Sequence, residues 1–224
     1  MTDLALRAIL GDGVATGHSA PILDGVVDGG ALRTHLYDLV KNPSGTLDRL
    51  CAYRHPNGFT KVRVLGEPGR WALRLHVWQA PEQDADIHNH RWNFVSRILC
   101  GSLVEKQYSV SEFGAGRWRL SDCWKTDEIT YAYRDRGPCE VIRVTEREHR
   151  QGTTYMLRFS VLHEAFPSPS QPLITVFLQG PDQMQSTTVV SPAASDVPAE
   201  LPPTRVSGAE LEDVLWQVIQ HLPE

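Results

Sequence analysis

Asp86 to Tyr108 reads DIHNHRWNFVSRILCGSLVEKQY. Two histidines, His88 and His90, stand one residue apart, and Trp92, Phe94, Ser96 and Ile98 follow on the same parity. On a strand, residues i and i+2 point the same way. The two imidazoles then share one face, about 7 Å apart along the backbone by strand rise. Rings so placed can converge on one metal ion, with a third ligand drawn from a neighbouring strand. The plainer alternative is two ordinary strand histidines. Bulky residues on the histidines' face suit the inside of a β-barrel better than a wet surface.

Outward from this stretch the pattern stays β. Trp71 to Trp78 alternates, with Leu73, Leu75 and Val77 on one face and Arg74, His76 and Trp78 on the other. Further strands are predicted over 92–100, 102–110, 117–124, 139–149, 153–160 and 173–179. Turn signals separate several of them: Gly101-Ser102, Gly114-Ala115-Gly116, Arg136-Gly137-Pro138, Gln151-Gly152 and Pro167-Ser168-Pro169. Many short strands at regular spacing predict a mainly β fold, a cupin or jelly-roll barrel over residues 56–181. Residues 1–55 read as a helical N-terminal segment. Leu32, Leu36, Leu39 and Val40 are at helical spacing, and a second helix is expected from Thr46 to Tyr53. Residues 182–206, rich in Pro, Ser, Thr and Ala, read as a surface connector. Over 207–224 a C-terminal helix is expected to pack on the barrel. Ser207 would cap it with Glu210 three residues on, and Leu211, Val214, Leu215, Val218 and Leu222 form its apolar stripe.

Composition narrows the function classes. The chain has 224 residues, 41% of them hydrophobic, and a formal net charge of −5. That suits one domain with its own core. No basic stripe points to nucleic acid, and Arg91-Trp92 without one does not read as a base-stacking platform. No apolar run approaches the roughly 20 residues that span a bilayer. The start, Met1-Thr2-Asp3-Leu4, lacks a basic n-region and predicts no signal peptide. Cys51, Cys100, Cys123 and Cys139 form no C-x-x-C pair and predict reduced thiols in a cytoplasmic protein.

The third ligand is sought among the remaining histidines. His18, His35 and His55 fall in the helical part, and His221 ends the last helix. His149, inside Glu146-Arg147-Glu148-His149-Arg150, reads as solvated. His76 suggests a pocket wall. His163 lies in YMLRFSVLHEAFPSPSQPLITVFLQGP, where one strand ends and another begins, and an antiparallel barrel can bring it beside the pair. The predicted metal set is His88, His90 and His163. Three neutral imidazoles leave a divalent metal its full charge and open positions. Imidazole suits Fe, Ni, Cu and Zn.

With these residues in view, the chain resembles the cupin superfamily, and within it the cysteine dioxygenase-like group, over roughly Tyr53 to Pro181. The resemblance rests on LHVW…IHNH, ILCGSLVE, VLHEA and ITVFLQGP. It implies a three-histidine metal cupin without the glutamate that other cupins carry shortly after H-x-H. Gly101-Ser102-Leu103-Val104-Glu105 matches the thiol dioxygenases' G-x-L-x-E segment, whose glutamate is not a ligand, so Glu105 is held as a reserve fourth ligand or an outer partner of the site. Phe177 and Gln179 stand where those enzymes carry a catalytic His and Tyr, and no crosslinking cysteine lies near Val95. The metal scaffold thus carries over and the outer machinery does not.

The resemblance implies a metal oxygenase, with Fe(II) first and Ni, Zn, Mn or Cu as alternatives, acting with O2 on a small polar metabolite such as an amino acid or a thiol. A non-redox metal lyase or isomerase and a metabolite-binding cupin are the competing readings. Pairing into a homodimer is common among cupins. Arg74, His76, Trp78 and Tyr155 are the candidate catalytic or substrate-binding residues. Arg74 can hold a carboxylate bidentately or lie at a surface. His76 can serve as a base or bond to backbone. Tyr155 can donate a phenol proton or pack, and Trp78 lies on a strand that lines the pocket in the thiol dioxygenases.

Overall fold

The computed structural model describes residues 3–42, 50–78, 86–112, 116–127, 129–168, 172–195 and 199–224. The chain opens with α1 (Asp3–Thr16), α2 (Ser19–Asp28) and α3 (Ala31–Lys41). Strands β1 (Cys51–Arg54), β2 (Phe59–Glu67), β3 (Trp71–Trp78), β4 (Ile87–His88), β5 (Trp92–Cys100) and β6 (Ser102–Ser111) follow. After them come β7 (Trp118–Lys125), β8 (Tyr131–Arg150), β9 (Thr154–Leu157), β10 (Leu162–Pro167), β11 (Leu173–Asp182), β12 (Thr187–Pro192) and β13 (Glu200–Leu201), and α4 (Gly208–Gln220) closes the chain.

The fold is mainly β, as the strand pattern predicts. One antiparallel sheet has the order β1-β2-β3-β11-β5-β9, and a second has β13-β8-β6-β10-β4-β12-β7. The alternation seen in the sequence sorts β3 between two environments. Leu73, Leu75 and Val77 face outward into a core shared with Val62, Val176 and Leu178 and with all four helices. Arg74, His76 and Trp78 face the opposite way, toward the second sheet. The first sheet is therefore covered on both faces, which is why every residue of β11 from Leu173 to Gly180 is buried.

α4 lies in the helical layer and packs beside α3, with Leu211, Val214, Leu215, Val218 and Leu222 all buried. Its N-cap is the predicted one, with the Glu210 amide donating to the Ser207 hydroxyl. The β5–β6 turn carries the chain between sheets at Gly101, whose φ is 78°. A side chain there would collide with the Pro172 carbonyl.

Two sequence expectations are corrected. Residues 51–53 are not helical. Cys51, Ala52 and Tyr53 pair with Arg63, Val62 and Lys61 in an antiparallel hairpin, and burial on both faces erases the alternation that marks a strand. The rest of that expected helix, 46–49, lies outside the described residues. Nor is 182–206 only a surface connector. Thr187 to Pro192 forms β12, with Val189, Val190 and Ser191 buried, and Glu200–Leu201 forms β13. The β-branched run Thr-Thr-Val-Val drives that pairing despite the Pro-rich surroundings. All four cysteines are free thiols. Among the described residues no helix is long and apolar enough to cross a membrane.

Candidate metal centre

His88, His90 and His163 come together as the spacing predicts. Ring centroids are 5.0 Å apart for His88–His90, 4.9 Å for His88–His163 and 5.0 Å for His90–His163. One nitrogen from each lies within 4.8 Å of the other two. The strands explain the convergence. His88 on β4 pairs directly with His163 on β10, and on its other side with Val189 on β12. Asn89, between the two histidines, turns away from their rings. Its side-chain oxygen accepts from the Thr188 amide at 2.7 Å, and its own amide donates to the Thr188 carbonyl. The middle residue of H-N-H thus pins the motif to β12 while its neighbours face the interior.

The rings are prepared as ligands. His88 Nδ1 donates to the Asp86 carbonyl at 2.7 Å, and His163 Nδ1 to the Val161 carbonyl at 3.4 Å. A bonded Nδ1–H leaves Nε2 with its lone pair, the form that binds metal. Burial keeps the rings neutral. It lowers the pKa of all three, helped for His90 by the His88 and His163 rings beside it, and takes His163 to about 3. Three convergent, neutral, largely buried imidazoles fit a divalent metal ion, and among the described residues no carboxylate belongs to the cluster.

Glu105 stands outside this set. It is buried, and both its oxygens are engaged, one by Gln107 Nε2 at 2.6 Å and the other by His149 Nε2 at 2.9 Å. Burial pushes its carboxyl up, but the two hydrogen bonds outweigh that and hold it below its usual value. His149 is not solvated as its charged neighbours suggest. Its side chain is only 11% exposed, and it stacks on Tyr155 at 4.1 Å. Alternation along β8 sends Glu146 and Glu148 outward and His149 in.

A cavity of about 90 Å³ opens beside the metal set, room for a small metabolite. Arg74 and His76 line it as expected, and so does Trp92. Trp78 does not; it packs with Ile98, Leu103 and Leu173. Tyr155 does not either, being held between His149, Ser96 and Phe94. Phe177 fills the centre of the wall, 4.3 Å from Phe94 and 4.9 Å from His76.

Several lining residues escaped the sequence reading: His55, Lys61, Asp86 and Tyr131. His55 is not in the helical part where its sequence position suggests; it follows β1 and stacks on Phe59 at 4.5 Å. A signal for Lys61 was available, since Phe59, Lys61 and Arg63 alternate with apolar Val62 and Val64.

No known sequence family matches this chain, and no curated protein does. Solved structures similar in part include the Schizosaccharomyces pombe Cnp3 cupin domain, at 9% identity and TM-score 0.34, over 55% of this chain and 65% of that one. Hydroxypropylphosphonic acid epoxidase from S. wedmorenis matches at 13% and 0.35, over 58% and 55%. Streptomyces albus HEPD with 2-hydroxyethylphosphonate and Fe(II) bound matches at 9% and 0.36, over 60% and 25%. This chain spans less than two thirds of each.

Proposed function

We propose that this protein is a metal-dependent cupin oxygenase, of non-haem Fe(II) type, that acts with O2 on a small polar metabolite such as an amino acid or a thiol. The observation that carries the reading is the largely buried His88/His90/His163 set, with no carboxylate in it among the described residues and a small cavity beside it. An all-imidazole set leaves the metal its full positive charge and open positions, and a bound iron would activate O2 and template the substrate. The chain's own residues do the rest. Asp86 and Val161 carbonyls orient two ligands, and Phe94, Trp92 and Phe177 wall the site with apolar rings that exclude water.

The test is metal content of protein purified without oxygen, a His-tag or added metal, followed by O2 uptake with amino acids and thiols. Near one iron per chain, with uptake lost in His88→Ala, is the expected result. Uptake that persists in that variant sinks the assignment. Zinc or nickel with turnover in the absence of O2 transfers the site to a lyase or isomerase, and ligand binding without turnover makes it a binding module.

A further inference from the structure

We propose that Lys125, Tyr53 and Tyr131 form a path that carries protons from the surface to a molecule held in the cavity, with Tyr131 as the donor that meets it. The proposal rests on the metal-site reading above and adds the residues that supply protons there.

The three residues come from three strands. Lys125 on β7 and Tyr131 on β8 are direct cross-strand partners, so their side chains share a face. Tyr53 belongs to β1 in the other sheet and meets both from across the barrel. The Tyr53 and Tyr131 hydroxyls are 2.9 Å apart, and the Lys125 ammonium donates to the Tyr53 hydroxyl at 3.2 Å. Tyr131 lines the cavity. Tyr53 is 2% exposed, and Lys125 is partly exposed. An unbroken line of hydrogen bonds thus runs from the cavity wall through a buried phenol to a side chain that meets solvent.

The line has a direction. An ammonium only donates, so the Tyr53 oxygen accepts from Lys125. Tyr53 can then give its own proton to Tyr131, and Tyr131 its proton to the cavity. Burial, with the Tyr53 hydroxyl beside it, pushes the Tyr131 pKa well above its ordinary value, so at neutral pH the phenol holds the proton it is to pass on. Arg74 and Cys123, both in the cavity lining, lie within electrostatic reach of the same phenol. Packing does not ask for this arrangement. Tyr53 and Tyr131 sit in a small core with Cys51 and Ile129, where plain rings would fill the space without burying hydroxyls.

One passage moves one proton and no electrons. The Tyr131 O–H bond breaks as its proton joins a basic atom in the cavity. Tyr53 gives its proton to the Tyr131 oxygen, and Lys125 gives one to Tyr53. The lysine, left as an amine, takes a proton from solvent. Trp92, Phe94 and Phe177 wall the metal side with apolar rings, so a proton relayed through side chains replaces one that bulk water would bring.

The test uses the full chain loaded with cobalt(II), which imidazoles hold and whose absorption reports a bound molecule. Two probes are released by rapid dilution in stopped flow. 2-Mercaptoethanol binds as its thiolate and regains a proton to leave as thiol, whereas azide leaves as the anion it is. Tyr53→Phe breaks the line without touching the cavity. In it thiol release should slow by about a hundredfold, the low end of what a positioned proton donor contributes, while azide release keeps its wild-type rate. Tyr131→Phe and Lys125→Met should slow thiol release likewise. Lys125→Arg should be slow too, since a guanidinium keeps the charge and the hydrogen bond but does not give up its proton. In wild type, thiol release should be slower in D2O and azide release should not. Thiol release at wild-type speed in Tyr53→Phe or Lys125→Arg overturns the proposal. So does equal slowing of both probes, the mark of a merely structural contact, or wild-type thiol release indifferent to D2O. Where a variant fails to fold, the wild-type isotope comparison and the remaining variants decide. Protein that takes up no cobalt sinks the metal-site reading and the path with it. Cobalt-loaded protein that forms no thiol adduct, or whose thiol release ignores all four substitutions, sinks the path alone. No O2 takes part, so the oxygenase reading is judged separately by uptake.

Discussion

At the residue scale, two acid–base facts have measurable consequences. Glu105 gives both oxygens to Gln107 and His149, which casts it as a scaffold for the wall behind His163 and not as a ligand. Glu105→Gln should therefore retain full metal content while losing roughly 1–3 kcal/mol of stability in urea denaturation, the cost of spoiling a buried charge-assisted bond. Loss of the metal in that variant would restore the glutamate to the ligand set. The histidines bear on pH in the metal-free protein. Burial depresses the His163 pKa to about 3, against an ordinary value near 6.5. The unfolded chain then takes up a proton as pH falls through about 6.5, and the folded chain does not until about 3. The ring thus costs nothing above 6.5 and destabilises progressively below it, at about 1.4 kcal/mol per pH unit. Urea midpoints of apo wild type and His163→Gln, followed from pH 7.5 to 4.5, should converge or cross on acidification as the wild type loses stability faster. Parallel profiles would refute the buried neutral ring.

At the element scale, the sharpest demand is the β5–β6 turn, where the chain leaves one sheet for the other. Gly101→Ala forces a left-handed backbone and a collision with the Pro172 carbonyl together. It should cost more than about 1 kcal/mol and loosen the β6 pairing that carries Glu105. Hydrogen exchange of the β6 amides reads this, and unchanged protection would show the turn to be tolerant. The elements also show what could be read in advance. β3, β5 and β6 were legible because each has one side toward an apolar core and runs eight to ten residues. The H-N-H pair was legible for the same reason, since period 2 alone aligns the rings. β1 was not, because four residues buried on nearly every side show no period. β4 is two residues long and exists through its partners β10 and β12. Lys61, His55 and Tyr131 reach the cavity only through strand pairing across the barrel, a long-range fact that local pattern does not encode. His149 was misread for that reason too: its partner Glu105 is on the neighbouring strand β6.

At the scale of the whole molecule, the metal set joins parts that little else joins. His88 and His163 are 75 positions apart (163 − 88), and β4 contributes only His163 and Val189 contacts to its ladder in addition to Ile87–Val190. The helical layer and the outer face of the first sheet form a large core of their own, away from the site. Near the cavity the cores are smaller and rich in rings and unpaired polar atoms. Stability should therefore be uneven, high in the helix-covered sheet and low around β4. An ion held by these histidines would tie β4 to β10 and act on that weak side. Binding to the folded form alone stabilises by about 2.7 kcal/mol at a free metal concentration one hundred times the Kd. For a chain of this size that corresponds to roughly 5–10 °C in Tm. Chelation should lower the Tm by that order, with the loss of hydrogen-exchange protection concentrated in β4, β10 and β12. The His88→Ala protein should melt at the same temperature with or without chelator. A wild-type Tm indifferent to chelator, in protein first shown to be metal-loaded, would mean that the ion is held elsewhere than on these three histidines.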